Sequence, residues 1–220
     1  MANNYYDATG VLILDQVTPV ITALFGAFRL DETFPGDGEV YIGRLSESDD
    51  PQWDDVLEGL VELANALGKP LPAGDDIGMQ AILRALAGHF RANDHEDLKQ
   101  LIEHDSFEES ADLETLFLIA TCFDDGHGLA AIKLEGAWHC DKPRLFEFGG
   151  EGAFISREIT LYGTSSLALE LGHGIREALL QGNLDEAANC LALDLNRLLS
   201  GIRDSDTREA LRRKLARKLI

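Results

Sequence analysis

The chain has 220 residues and a formal net charge of −20 at pH 7, because 39 acidic side chains outnumber 19 basic ones. A chain of this length buries roughly 70 % of the surface that it exposes when unfolded, so it needs neither disulfides nor a metal to maintain a core. Its 45 % hydrophobic and 26 % charged residues exclude a disordered chain. The negative charge repels phosphate backbones, which argues against direct nucleic-acid binding by the main body.

The cysteines and the apolar segments indicate the compartment. The three cysteines are odd in number and lack CxxC spacing, which predicts neither a disulfide framework nor a four-thiolate zinc site. The first residues lack the basic start of a secretory signal, and Asp15 and Pro19 interrupt the apolar stretch 11–28. We therefore expect a cytoplasmic protein without a membrane span, and no pattern predicts a cofactor.

Short strands and a helix are predicted in the first 45 residues. The apolar run Val11–Leu14 is typical of a buried strand. Thr18 before Pro19 predicts the start of a helix that extends to about Phe28. The segment 34–38 carries turn residues, and Val40–Leu45 follows as a second strand.

Three amphipathic helices are predicted next. The clearest extends from Asp50 to Leu67, with an apolar face that contains Trp53 and Leu60 and an opposite acidic face. Two further helices are predicted over residues 76–91 and 94–104. Apolar residues at helical spacing predict that all three lie on one core.

The pattern then changes to strands. Four strands joined by short links are predicted at Leu113–Phe123, Leu129–Trp138, Arg144–Phe148 and Phe154–Tyr162. Asp125 and Gly126 predict the first tight turn, and the glycine-rich segment 149–152 predicts a hairpin loop. The expected fold class is therefore α+β, with an antiparallel meander over 113–162 and two earlier strands, covered by the N-terminal, central and C-terminal helices.

Helices over 166–181, 183–200 and 206–220 are predicted to close the chain. Asn183 with Glu186 three residues later forms a capping-box pattern. Gly172 and Gly174 interrupt the first of these helices, which predicts close packing of another segment over that turn. We expect an acidic domain over 1–202, either as one body or as packed halves 1–110 and 111–202, followed by a separate helix.

That final helix is predicted to be a docking element. Residues 1–202 hold 36 acidic and 12 basic side chains, whereas 203–220 hold three acidic and seven basic ones. Leu211, Leu215 and Leu219 lie on one stripe, with Arg213 and Arg217 on the opposite side. The helix is expected to dock on its own body, across a homodimer, or on an external partner.

Two further groups of residues are candidate sites. Asp15, Asp124, Asp125 and His127 carry the side chains that a metal-dependent hydrolase needs, although too few ligands lie together locally for us to predict a metal site. A polar turn is the favoured explanation of Asp124, Asp125 and His127. Aromatic side chains beside the glycine-rich segment predict an apolar binding lip of Phe146, Phe148 and Phe154.

No motif is specific enough to name a reaction. The sequence favours a non-catalytic binding or accessory protein that acts through protein–protein contacts. Two alternatives stay open: a metal-dependent hydrolase that uses Asp124, Asp125 and His127, with or without Asp15, and an acidic mimic of nucleic acid that binds basic proteins.

Overall fold

The structure, a computed structural model, describes residues 4–45, 50–69, 77–108, 110–142, 145 and 147–219. The helices in this part of the chain are α1 Pro19–Phe25, α2 Trp53–Ala66, α3 Met79–Phe90, α4 Glu96–His104, α5 Leu113–Cys122, α6 Leu167–Leu180, α7 Leu184–Ser200 and α8 Ser205–Lys218. The strands are β1 Asn4–Ile13, β2 Asp31–Gly36, β3 Glu39–Leu45, β4 Ala131–Cys140, β5 Gly149–Ser156 and β6 Thr160–Thr164. A short 3-10 helix, Gly26–Phe28, extends α1.

The strands form an antiparallel sheet in the order β2-β3-β1-β4-β5-β6. β1 pairs with β3 so that Asp7 is opposite Leu45. β5 pairs with β6 so that Ile155 is opposite Thr160. The predicted α+β class is therefore confirmed.

The strand predicted over 113–123 is wrong, because these residues form α5. Asp112 caps this helix by accepting a hydrogen bond from the Thr115 backbone N–H at 2.8 Å. The segment is apolar on nearly every side, and Leu116, Phe117 and Ile119 are all buried. An apolar run without polar alternation does not distinguish a buried strand from a buried helix. The turn at Asp125 and Gly126 therefore follows a helix and does not join two strands.

The boundaries predicted for the next strands are also wrong. Residues 144 and 146 lie outside the described residues, and Leu145, Glu147 and Phe148 belong to no strand. The glycine-rich segment 149–152 is the first half of β5, not a hairpin loop. A Cβ atom on Gly149 would lie 2.1 Å from the Trp138 ring, so this glycine allows close packing of an aromatic ring on the strand.

Two compact units divide the chain inside β4. We call Tyr5–Leu134 the first unit, and the second unit comprises Met1–Asn4 with Glu135–Ile220. Among the described residues, 35 buried hydrophobic residues lie in the first unit and only five in the second. The first unit therefore holds a large core, whereas the second has little core of its own.

Candidate functional site

The loop between α5 and β4 contains the predicted reactive residues. The Asp124 carboxylate accepts a hydrogen bond from the Gly126 backbone N–H at 2.9 Å, and Asp124 is exposed. Such a bond between a side chain and the backbone two residues later is characteristic of aspartate in turns. Asp124 therefore shapes the loop.

Asp125 caps a distant helix. Its carboxylate accepts hydrogen bonds from the Thr18 hydroxyl at 2.6 Å and from the Val20 backbone N–H at 3.2 Å. Thr18 is the N-cap residue of α1, and Pro19 occupies its first turn. A carboxylate at a helix N-terminus satisfies an unpaired N–H and complements the helix dipole. Both oxygens of Asp125 thus have structural partners.

His127 is a core residue, only 1 % exposed. Its Nδ1 atom accepts from the Leu129 backbone N–H at 2.8 Å, and its Nε2 atom lies 3.0 Å from the Ala120 carbonyl oxygen. Because Nδ1 accepts, the hydrogen-bond pattern assigns the proton to Nε2, which donates to Ala120. Both ring nitrogens are engaged, so metal binding or proton transfer would require His127 to give up a buried hydrogen bond.

Asp15 lies beside the same loop. Its backbone N–H donates to the His127 carbonyl at 2.9 Å. Gly128 has a φ angle of +62°, and a Cβ atom there would lie 2.2 Å from the Asp15 carboxylate. Only glycine suits this position, for reasons of both backbone conformation and space. The structure therefore brings Asp15 to the loop, as the hydrolase alternative required.

An acidic cleft of about 560 Å³ opens next to Asp15. Asp37 and Glu39 also line it, together with Pro35, Gly36 and Gly38. Lys133 pairs with Glu39 at 2.8 Å and neutralises one of these charges. Within the described ranges, no group of three or more histidine, cysteine, aspartate or glutamate side chains is placed to hold a metal ion.

The predicted aromatic lip is described only in part. Phe146 lies outside the described residues. Phe148 and Phe154 both have exposed rings, as does Tyr162 on the neighbouring strand β6. The lip stays a prediction, with Tyr162 as an additional aromatic residue near it.

The predicted docking helix corresponds to α8. Leu211 and Leu219 are exposed, Leu215 is half-buried, and no residue of this helix is buried. Arg213 pairs with Glu209 of the same helix at 3.3 Å. The docking of α8 through its leucines therefore stays a prediction.

Sequence reasoning missed the number of leucines that are exposed on the second unit. The buried residues of its helices are Ala178 in α6 with Ala187 and Leu199 in α7. Exposed leucines occur on all three helices and at the C-cap of α8, namely Leu169, Leu179, Leu180, Leu184, Leu191, Leu193, Leu198, Leu211 and Leu219. We call these nine residues the leucine surface. The heptad spacing of several leucines in α7 was the signal available in the sequence.

Charge and apolar exposure are concentrated in different units. Residues 5–134 contain 26 acidic and seven basic side chains, a net charge of −19. The remaining residues contain 13 acidic and 12 basic side chains, a net charge of −1. Net charge is a physical basis for association with oppositely charged partners. The first unit therefore carries nearly all the negative charge, and the second carries the leucine surface.

Comparisons with protein-family models, with curated proteins and with solved structures found no match to this chain. Across the described part of the chain, every helix is too short or too polar to cross a lipid bilayer.

Proposed function

We propose that this protein is a non-catalytic binding or accessory protein that acts through protein–protein contacts made by its second unit. The observation that carries the proposal is the leucine surface, that is, the nine leucines that the second unit exposes on three consecutive helices and at the C-cap of α8. Scattered exposed leucines are normal on a soluble protein, whereas many on one small unit are typical of an interaction site.

The energetics also support a partner. Covering a leucine side chain contributes roughly 1.5 to 3 kcal/mol before the costs of association are counted. A partner that covered several of the nine exposed leucines would therefore offset much of those costs. The second unit has only five buried hydrophobic residues among those described, so a partner would also stabilise its fold.

The candidate catalytic residues support a non-catalytic protein because their local roles are structural. Asp125 caps α1, and both ring nitrogens of His127 hold backbone groups. Calorimetric titration with Zn²⁺, Mn²⁺ and Mg²⁺ is expected to give no stoichiometric heat. Micromolar binding that Asp125→Asn abolishes would instead favour the hydrolase.

Affinity purification from extracts of the source cells, with three baits, tests whether a partner binds through these leucines. The baits are the wild-type chain, a variant with Leu169, Leu180 and Leu191 changed to serine, and a control with Phe34→Ser, an exposed aromatic residue of the first unit. A partner that is then purified should bind the wild-type chain and the Phe34→Ser control with equal affinity. Its affinity for the leucine variant should be at least about tenfold lower. The proposal fails if no protein, including a second copy of this chain, depends on these leucines.

A second candidate is an acidic mimic of nucleic acid, favoured by the net charge of −19 on the first unit. Such a protein would occupy the phosphate-binding surface of a basic protein. Full-length protein should then displace labelled duplex DNA from basic DNA-binding proteins, and salt should weaken the competition. Failure to displace DNA at low salt would exclude this candidate.

We also propose a cytoplasmic location. Cys140 and Cys190 are present as thiols, which is typical of a reducing compartment. The proposed partners are proteins. The charge of the first unit disfavours direct contact with nucleic acid.

A further inference from the structure

Two turns of the first unit contain an aspartate followed by a glycine. Asp37 and Gly38 join β2 to β3, and Asp125 and Gly126 lie between α5 and β4. Glycine has no side chain to shield its backbone nitrogen, so this nitrogen can approach the carboxyl carbon of the preceding aspartate closely. Both pairs are therefore able by sequence to close a five-membered ring, and the surroundings of each pair in the fold decide which one reacts.

Hydrogen bonds hold both reacting groups of the pair at Asp125. The Asp125 carboxylate accepts from the Thr18 hydroxyl at 2.6 Å and from the Val20 backbone N–H at 3.2 Å, and Asp125 is half-buried. The Gly126 backbone N–H donates to the Asp124 carboxylate at 2.9 Å. Ring closure would have to break these bonds, and each bond that is lost raises the barrier to the reaction.

The pair at Asp37 lacks these restraints. Asp37 and Gly38 are both exposed. Across the part of the chain that the structure describes, no residue forms a hydrogen bond with the Asp37 carboxylate or with the Gly38 N–H. The contact that holds this turn is at the Gly38 carbonyl oxygen, which accepts from the Leu14 N–H at 3.1 Å. The carboxyl carbon and the nitrogen that would react with each other are therefore both accessible.

We propose that Asp37 is a site of spontaneous covalent modification, at which aspartate converts to isoaspartate, and that the fold protects Asp125 from the same reaction. The Gly38 backbone nitrogen bonds to the side-chain carboxyl carbon of Asp37, and the carboxyl group, protonated from solvent, loses its hydroxyl. This hydroxyl leaves as water with the proton of the nitrogen, and a succinimide ring remains.

A second water molecule then opens the succinimide. It adds to one of the two ring carbonyl carbons and breaks the bond from that carbon to nitrogen, which regains a proton. Opening at the side-chain carbonyl restores aspartate. Opening at the backbone carbonyl leaves the main chain running through the former side chain of Asp37, which is isoaspartate. One water is lost and one is gained, so the product is an isomer of the original chain.

Isoaspartate changes the turn between β2 and β3. The main chain gains one carbon atom between the Cα atom of Asp37 and the nitrogen of Gly38. The present turn is matched to a register in which Gly36 is opposite Glu39, and a longer connection no longer matches that register. The turn also lines the acidic cleft beside Asp15, so the modification alters one wall of this cleft. The inference is independent of the proposed function, which concerns the second unit.

The experiment incubates the full chain at neutral pH in water enriched in heavy oxygen. Each opening of the ring adds one heavy oxygen atom, which peptide mass spectrometry locates, and chromatography separates the isoaspartate peptide from the aspartate peptide. Both signals are expected to grow at least about tenfold faster at Asp37 than at Asp125. In guanidinium chloride the unfolded chain should react at the two sites at rates within about threefold of each other, because glycine follows both aspartates and the protecting contacts are lost.

Two variants test the reason for the difference. Asp124→Ala frees the Gly126 N–H and should raise the rate at Asp125 by about threefold or more, with no change at Asp37. Asp37→Ser should remove both signals from its own peptide. Equal rates at Asp37 and Asp125 in the folded chain overturn the proposal. A preference for Asp37 that persists in the unfolded chain also overturns it, since the sequence and not the fold would then select the site.

Discussion

Asp125 connects two segments of the chain that are 107 residues apart in sequence, because its carboxylate accepts from Thr18 at the start of α1. His127, two residues later, connects the end of α5 to the start of β4. Buried polar side chains need partners, and here the partners are backbone groups at the ends of helices and strands. At the residue scale, side chains with the chemistry of a hydrolase therefore hold the first unit together.

The first prediction compares the two aspartates of this loop. Asp125→Ala leaves the Thr18 hydroxyl and the Val20 N–H without their acceptor, so the free energy of unfolding should fall by about 1 to 2 kcal/mol. Asp124→Ala removes one bond in an exposed turn and should cost no more than about 0.5 kcal/mol. Urea unfolding of both variants in a Trp138→Phe background, followed by the fluorescence of Trp53, measures the two losses. Equal losses would contradict the capping role of Asp125.

Two helices show that glycine has different roles in the same secondary structure. A Cβ atom on Gly59 of α2 would lie 2.3 Å from the Ala23 carbonyl oxygen of α1. In α6, a Cβ atom on Gly174 would contact the Cys190 sulfur, whereas one on Gly172 would have no atom within 4 Å. The close packing predicted for the two glycines of α6 thus occurs at Gly174 and not at Gly172.

Alanine substitutions at Gly59 and Gly172 should therefore change the free energy of unfolding in opposite directions. Gly59→Ala should destabilise the first unit by about 1 to 3 kcal/mol, because α1 and α2 must separate. Gly172→Ala should stabilise α6 by up to about 1 kcal/mol, since alanine favours the helix and meets no obstacle. Thermal unfolding of both variants is the measurement. Stabilisation by Gly59→Ala would show that the close approach of α1 and α2 is not maintained in solution.

The start of α8 gives a prediction about pH. Asp204 caps this helix, and hydrogen bonds from the Thr207 side chain and backbone N–H, in that order of importance, hold the pKa of its carboxyl below the ordinary value of 3.8. A lowered pKa in the folded state means that the cap stabilises α8 above pH 3.8 and is lost as the pH falls through the lower, folded value.

Nuclear magnetic resonance titration of the Thr207 amide is expected to show a midpoint below 3.8. Asp204→Asn should remove this titration and keep α8 helical, because asparagine is also a good N-cap residue. A midpoint at or above 3.8 in the wild type would contradict the capping contacts.

At the scale of the whole molecule, core and charge are divided unequally between the units. Trp53 lies in the first unit, buried at 5.1 Å from the Phe107 ring, and Trp138 lies in the second. Because the chain has two tryptophans, Trp138→Phe leaves a fluorescent reporter only in the first unit, and Trp53→Phe leaves one only in the second. The second unit, with its small core, should unfold at the lower urea concentration, reported by Trp138. Coincident transitions from both variants would show that the units unfold as one.

Local signals allowed much of the fold to be predicted from sequence. Thr18 before Pro19 and Asn183 before α7 mark helix starts that the structure confirms, since capping depends on residues within one turn. The start of α8 was predicted at Asp206, but Asp204 caps it and the helix begins at Ser205. The misplacement is small because several acidic and hydroxyl residues near this point can serve as caps.

The sequence by itself determined the fold class, most helix boundaries and the division of charge, because these follow from local pattern and composition. Only the tertiary structure decided that 113–122 is a helix, since a segment buried on every side carries no polar alternation to read. Only the tertiary structure shows that Asp125 accepts a hydrogen bond from Thr18, 107 residues away, and that the Trp138 ring packs against Gly149. The tertiary structure also left Leu184, Leu191 and Leu198 of α7 exposed, because burial depends on which neighbours a helix face meets and not on the residues of that face alone.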